Sequence, residues 1–172
     1  MKTLKSKGSI LLAGVIIFAT SLQVFGQIVL PEITVTASNY KYLNAVNPEE
    51  MAQPVNMLER YAATFDVKEA EFYEEDYDKY FVSFFIPEGK ILAAYDNNGI
   101  LLHTAEKYKD IAVPAHIREA VANKYPKWTI AKDVYLVSYY QNKDVTKKIY
   151  KLLLKNGDKR IRIKISDDKE FL

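Results

Sequence analysis

A short strand-forming run occurs twice in this chain, and it restricts the available folds more than any other feature. Residues 80–85 read Tyr-Phe-Val-Ser-Phe-Phe, and residues 135–140 read Tyr-Leu-Val-Ser-Tyr-Tyr. Both are rich in aromatic and β-branched side chains and lack a helical charge pattern, which marks them as strands. A proline-led segment with apolar residues at spacings of three and four precedes each run. Pro54 leads Val55, Leu58, Tyr61, Ala62 and Phe65; Pro114 leads Ile117, Ala120, Val121 and Tyr125, after which Pro126 stops the helix. The expectation is an α+β protein of two tandem repeats, 54–113 and 114–172, each a helix followed by a three- to four-stranded antiparallel sheet.

A hairpin follows each core run. In the second repeat Asn156-Gly157 is a two-residue turn signal. Pairing outward from it sets 154 opposite 159, 152 opposite 161 and 150 opposite 163. One face then carries Tyr150, Leu152, Leu154, Ile161 and Ile163, and the other Lys151, Arg160, Arg162 and Lys164, with Ile149 and Leu153 among them. In the first repeat Asp96-Asn97-Asn98-Gly99 turns the chain between Ile91-Ala93-Tyr95 and Ile100-Leu102. If a helix covers one side of that sheet, Phe81, Ser83, Phe85, Leu92 and Leu101 stand on the other.

The two prolines lie 60 residues apart, but the two strand cores only 55. The difference falls in the acidic, aromatic segment Glu71-Phe72-Tyr73-Glu74-Glu75-Asp76-Tyr77-Asp78. Tyrosine and carboxylate together supply contact area and orientation, so Tyr73, Glu74, Glu75, Asp76, Tyr77 and Asp78, with Phe81 and Phe85, are the candidate partner-binding residues.

Lys2, Lys5 and Lys7 precede an apolar stretch from Ile10 to Ala19, the pattern of a signal peptide (1–26) cleaved near Gly26. A periplasmic or secreted location follows. Residues 27–53 read as an extended leader, in which Leu30 to Ala37 resembles the short box by which outer-membrane transporters engage their energy-coupling protein. Residues 27–113 carry 7 basic and 15 acidic side chains, and residues 114–172 carry 14 basic and 7 acidic. Lys151, Arg160, Arg162 and Lys164 form a candidate basic face. Export and the acidic first half weigh against nucleic acid, which leaves an anionic glycan or lipid headgroup for that face. Otherwise membrane association is expected only through the signal peptide, where it stays uncleaved.

Chemistry is sparse. No cysteine is present, and neither a Gly-rich phosphate loop nor a Gly-x-Ser-x-Gly elbow occurs. His103 and His116 are isolated, so no metal, cofactor or catalytic residue is assigned. The remaining alternative is a carboxylate-dependent hydrolase using the acidic segment 71–78, which requires one carboxyl to be buried.

Pro114 to Tyr125 with Pro126-Lys127-Trp128, then residues 135–140, then Tyr150-Lys151-Leu152-Leu153-Leu154 and Asn156-Gly157, resemble the PepSY-like family in the tandem form of the β-lactamase-inhibitor proteins. The resemblance spans residues 54–168, and the absence of cysteine departs from the secreted β-lactamase inhibitors. It implies an exported, non-enzymatic module that binds another protein, including inhibition of a peptidase or other envelope hydrolase. A structural envelope protein is the third reading.

Overall fold

A computed structural model describes residues 37–46, 51–143 and 145–172. The expected signal peptide and residues 27–36 of the leader lie outside them. The described residues form three helices, α1 (Ala37–Val46), α2 (Gln53–Thr64) and α3 (Ala115–Lys124). They also form six strands: β1 (Lys79–Ile86), β2 (Gly89–Asp96), β3 (Leu101–Lys109), β4 (Thr129–Tyr140), β5 (Val145–Asn156) and β6 (Lys159–Ser166). Among them no helix is long and apolar enough to cross a membrane.

The six strands make one antiparallel sheet in chain order, from β1 to β6. This corrects the expectation of two tandem helix-plus-sheet repeats. β3 is the reason. It runs on to Lys109, well past the Ile100-Leu102 stretch, and its residues His103 to Lys109 pair with Tyr140 to Val134 of β4. The 54–113 and 114–172 segments therefore share one ladder and one core. Residues Tyr42, Val55, Leu58, Ile117 and Val121 from the helices pack in a single buried cluster with Ile91, Tyr108, Tyr135, Leu152 and Ile165 from the strands. Among the described residues no helix lies on the opposite face of the sheet, as suits an antiparallel sheet with one solvated side.

In the leader, Ala37–Val46 are helical rather than extended, and residues 47–50 lie outside the described residues. Asn39, Tyr42 and Val46 are buried along one stripe of α1. In α2 the buried stripe is Val55, Leu58, Glu59, Ala62 and Ala63. Tyr61, expected within it, is 57% exposed, and Phe65 follows the helix as its C-cap. Gly89 permits the tight β1–β2 turn to sit against its neighbour: a Cβ there would lie 2.2 Å from the Tyr108 ring.

The β5–β6 faces separate apolar from basic as the alternation requires, but the register differs by two residues. Leu154 pairs with Ile161, Leu152 with Ile163 and Tyr150 with Ile165. Gly157 and Asp158 occupy the centre of the turn, and of the two only Gly157 has positive φ, 58°. That is the requirement of a type II′ turn. In the β2–β3 hairpin a bulge falls between Ala94 and Tyr95, which rotates Leu101 inward opposite Tyr95. Leu101 is buried and does not belong to the uncovered face.

The two edges of the sheet differ. Beyond β6 the chain turns at Ser166–Glu170; Phe171 bridges to Ile165, and the Leu172 N–H donates to the Lys164 carbonyl at 3.0 Å. Among the described residues β1 pairs only with β2.

Asn39 fastens α1 to the rest. Its Nδ2 donates to the Ala63 carbonyl (3.1 Å) and the Gly99 carbonyl (3.3 Å), and its Oδ1 accepts from the Leu101 N–H (2.9 Å). Asn39→Ala orphans the Leu101 N–H at the bulge, and it is expected to lower unfolding free energy by about 1–3 kcal/mol, read as a shifted urea midpoint at unchanged m.

Candidate functional site

Strand pairing places four residues in one row across the uncovered face: Phe81 opposite Ala94, Ala94 opposite His103, and His103 opposite Tyr140. Ala94 is small enough for the rings on either side to meet over it. Phe81 and His103 stand edge to face at 6.2 Å, and His103 stacks on Tyr140 at 5.8 Å. The Lys143 ammonium lies 5.9 Å from the Tyr140 ring centre. These side chains line a depression of about 200 Å³. Phe81 and Phe85 are 63% and 69% exposed, and Leu92 and Tyr140 are 44% and 45%. Sequence reasoning identified Phe81, Phe85 and Leu92. It also set His103 on the hairpin face with Leu92 and Ala94, but it missed Tyr140 as their neighbour, because only the β3–β4 pairing brings the second strand core beside the first.

The acidic segment does not join this row. Its rings gather on Tyr80, which faces the helices. Tyr73 stacks on Tyr80 at 5.3 Å, Tyr77 meets it edge-on at 6.3 Å and Phe72 lies 6.3 Å away. The Tyr80 hydroxyl donates to the Glu74 carbonyl. Tyr73 also donates to the Asn97 carbonyl at 3.3 Å. Tyr73 thus anchors the segment, while Glu74, Glu75, Asp76, Tyr77 and Asp78 are exposed. Phe81 and Phe85 point to the other side of the sheet, so the candidate partner-binding residues divide into two surfaces. Among the described residues no group of three or more His, Asp or Glu side chains could hold a metal ion.

The candidate basic face lies at the other end of the uncovered side. Lys151 pairs with Lys164, Lys155 with Arg160, and Leu153 with Arg162. All five cations are exposed. With Lys132 they line much of a depression of about 910 Å³, to which Lys124 and Phe171 contribute from the helix side.

The strongest electrostatic perturbation is inside the molecule. Glu106 on β3 is buried and accepts three hydroxyl hydrogen bonds, from Tyr42 (2.8 Å), Thr104 (2.6 Å) and Tyr108 (2.9 Å). Glu59 on α2 lies against it. No hydroxyl or N–H donor among the described residues reaches either Glu59 oxygen. A proton on Glu59, donated to Glu106, lets the two carboxyls share one hydrogen bond and leaves the second Glu59 oxygen without a donor among the described residues. Burial is the main force raising the Glu59 carboxyl well above its usual range, and the Glu106 charge raises it further, against the pull of Lys148. Burial likewise pushes the phenols of Tyr42, Tyr95, Tyr108, Tyr135 and Tyr150 upward. This pair is sealed by Tyr42, Tyr108 and the helices and presents no reacting atom to solvent.

Comparison of the chain with protein-family models, with curated proteins and with solved structures finds no match. The geometry of the uncovered face therefore carries the functional argument.

The acid pair makes stability pH-dependent. Glu59 keeps its proton in the folded chain above the ordinary carboxyl value of 4.5, where the unfolded chain has lost it. The folded state then binds more protons, and stability falls as pH rises from that value, by up to about 1.4 kcal/mol per pH unit. Glu59→Gln, whose amide donates to Glu106 without titrating, should flatten this decline. Its urea midpoint should exceed the wild type's more at pH 8 than at pH 5.

Proposed function

We propose that the protein is an exported, non-enzymatic module that binds another protein through the uncovered face of its sheet. The observation that carries this is the Phe81–His103–Tyr140 row with Phe85 and Leu92 beside it. Large aromatic side chains stand in water around a depression of about 200 Å³. Solvent-exposed aromatic clusters of this kind are characteristic of interface hot spots, where a partner's side chain enters a pocket and displaces water. The row is also rigid. Each of its members is fixed by a β-ladder on at least one side, so little ordering entropy opposes binding. A partner drawn from peptidases or other envelope hydrolases fits the resemblance to PepSY-like modules described above.

The hydrolase alternative draws no support from the carboxylates of residues 74–78, which are exposed and held in no apolar site. Export rests on the N-terminal sequence pattern alone.

Phe81→Ala combined with Tyr140→Ala removes the row while leaving the core untouched. Quantitative co-purification from an envelope fraction should lose at least about 30-fold in partner recovery, as expected for hot-spot truncation at two sites of ≥ 2 kcal/mol in total. The thermal midpoint should shift little. Equal recovery of every partner by both proteins refutes the proposal.

A further inference from the structure

The far end of the uncovered face has a charge pattern that protein binding through the aromatic row does not use. Six residues along β4 separate Tyr140 from Val134, about 20 Å. Around and beyond Val134, cations face cations. Lys90 is directly opposite Lys107, Lys151 opposite Lys164, and Lys155 opposite Arg160. Lys109, Lys132 and Arg162 lie on the same face, beside Val134 and Leu153. All nine are exposed. Like charges directly opposed on a sheet destabilise it. Among the described residues no carboxylate lies within ion-pair distance of these nine cations; the His116–Asp167 contact is on another surface. Three opposed like-charge pairs weaken the fold, and among the described residues they have no paired counter-charge. A partner of opposite charge is the physical reason such a face is tolerable.

The side chains between the cations narrow the partner's chemistry. Val134, Leu136, Ile149 and Leu153 are half-buried and aliphatic. None of these four positions holds a ring on which a base could stack, as a single-stranded nucleic-acid groove requires; the nearest rings are at the margins, Phe85 opposite Lys90 and Phe171 beside the larger depression. Cations alternating with aliphatic side chains suit the headgroup level of an anionic bilayer, where ammonium and guanidinium groups meet phosphates and short apolar chains enter the interface. The depression of about 910 Å³ beside Lys132, Lys151, Arg160, Arg162 and Lys164 has the size of a small-ligand site, roughly 300–1,000 Å³. We propose that this half of the sheet face, centred on Lys151, Arg162 and Lys164, docks on an anionic lipid surface. It is carried by residues other than the aromatic row, so the two functions stand or fall separately.

Sedimentation of the full chain with vesicles of phosphatidylcholine plus phosphatidylglycerol, against phosphatidylcholine alone, tests this. The apolar stretch at residues 10–19 can enter either vesicle, so the readout is the extra uptake that anionic lipid produces. That increment should be large at low salt and vanish near ~1 M salt, where screening length falls to about 3 Å. Lys151→Glu, Arg162→Glu and Lys164→Glu together should reduce it on the order of 100-fold or more, from about five-fold per cation removed. The corresponding triple glutamine variant, which adds no new charge, should lose it in the same direction, with a thermal midpoint no lower than the wild type's because the Lys151–Lys164 opposition is gone. Phe81→Ala should retain it, as should Lys2→Gln, Lys5→Gln and Lys7→Gln together. Equal uptake by both vesicles overturns the proposal. So does an increment that survives the glutamine variant, one that disappears with the N-terminal lysines, or tighter binding to a single-stranded oligonucleotide than to anionic vesicles.

Discussion

Glu59 from α2 and Glu106 from β3 meet in the interior, and the seating of the helices on the sheet depends on how that meeting is resolved. Two carboxylates cannot both ionise in an apolar interior at short range. One must keep a proton, and the donors around them decide which. Tyr42 from α1 and Thr104 and Tyr108 from β3 all donate to Glu106. Glu106 is therefore the better-stabilised anion, and Glu59 is left as the acid. The result is a polar knot that ties α1, α2 and the centre of the sheet together. It has geometric demands that apolar packing lacks, because each hydroxyl must point at one oxygen.

The same knot explains why part of the fold was hidden from pattern reading. The inward positions of β3 after its bulge are Thr104, Glu106 and Tyr108, so the strand shows no apolar alternation and reads as a charged loop. With β3 cut short, its pairing with β4 was not legible, and the chain read as two tandem helix-plus-sheet repeats. Glu59 hid the true stripe of α2 in a similar way. With it counted as surface, Tyr61 and Phe65 took the place of Glu59 and Ala63. In α1 the inward Asn39 broke a stripe that Tyr42 and Val46 otherwise continue. Where the interior is apolar, the pattern was plain: the alternation of β5 and β6 and the inward residues of α3 are legible directly. Turn chemistry failed by one position at Asn156-Gly157, and because the resulting slip is two residues, the faces survived it.

For the candidate site, individual residues were legible and their neighbourhoods were not. Phe81 and Phe85 alternate with Val82 and Phe84, so their outward direction follows from strand period alone. His103 joins them through the local β2–β3 hairpin, whereas Tyr140 completes the row by a β3–β4 pairing that local sequence does not encode. The acidic segment illustrates the opposite error. Its proximity in sequence to Phe81 suggested one surface, yet a single step along a strand reverses direction, and Tyr80 draws the segment to the helix side.

One more property follows from the unequal margins of the sheet. The backbone of β6 is occupied near its end by Phe171 and Leu172, whereas among the described residues β1 has a ladder partner on one side only. Among the described residues an incoming strand therefore finds its docking groups along Lys79–Ile86, and at the opposite margin it meets an obstruction beside Lys164 and Ile165.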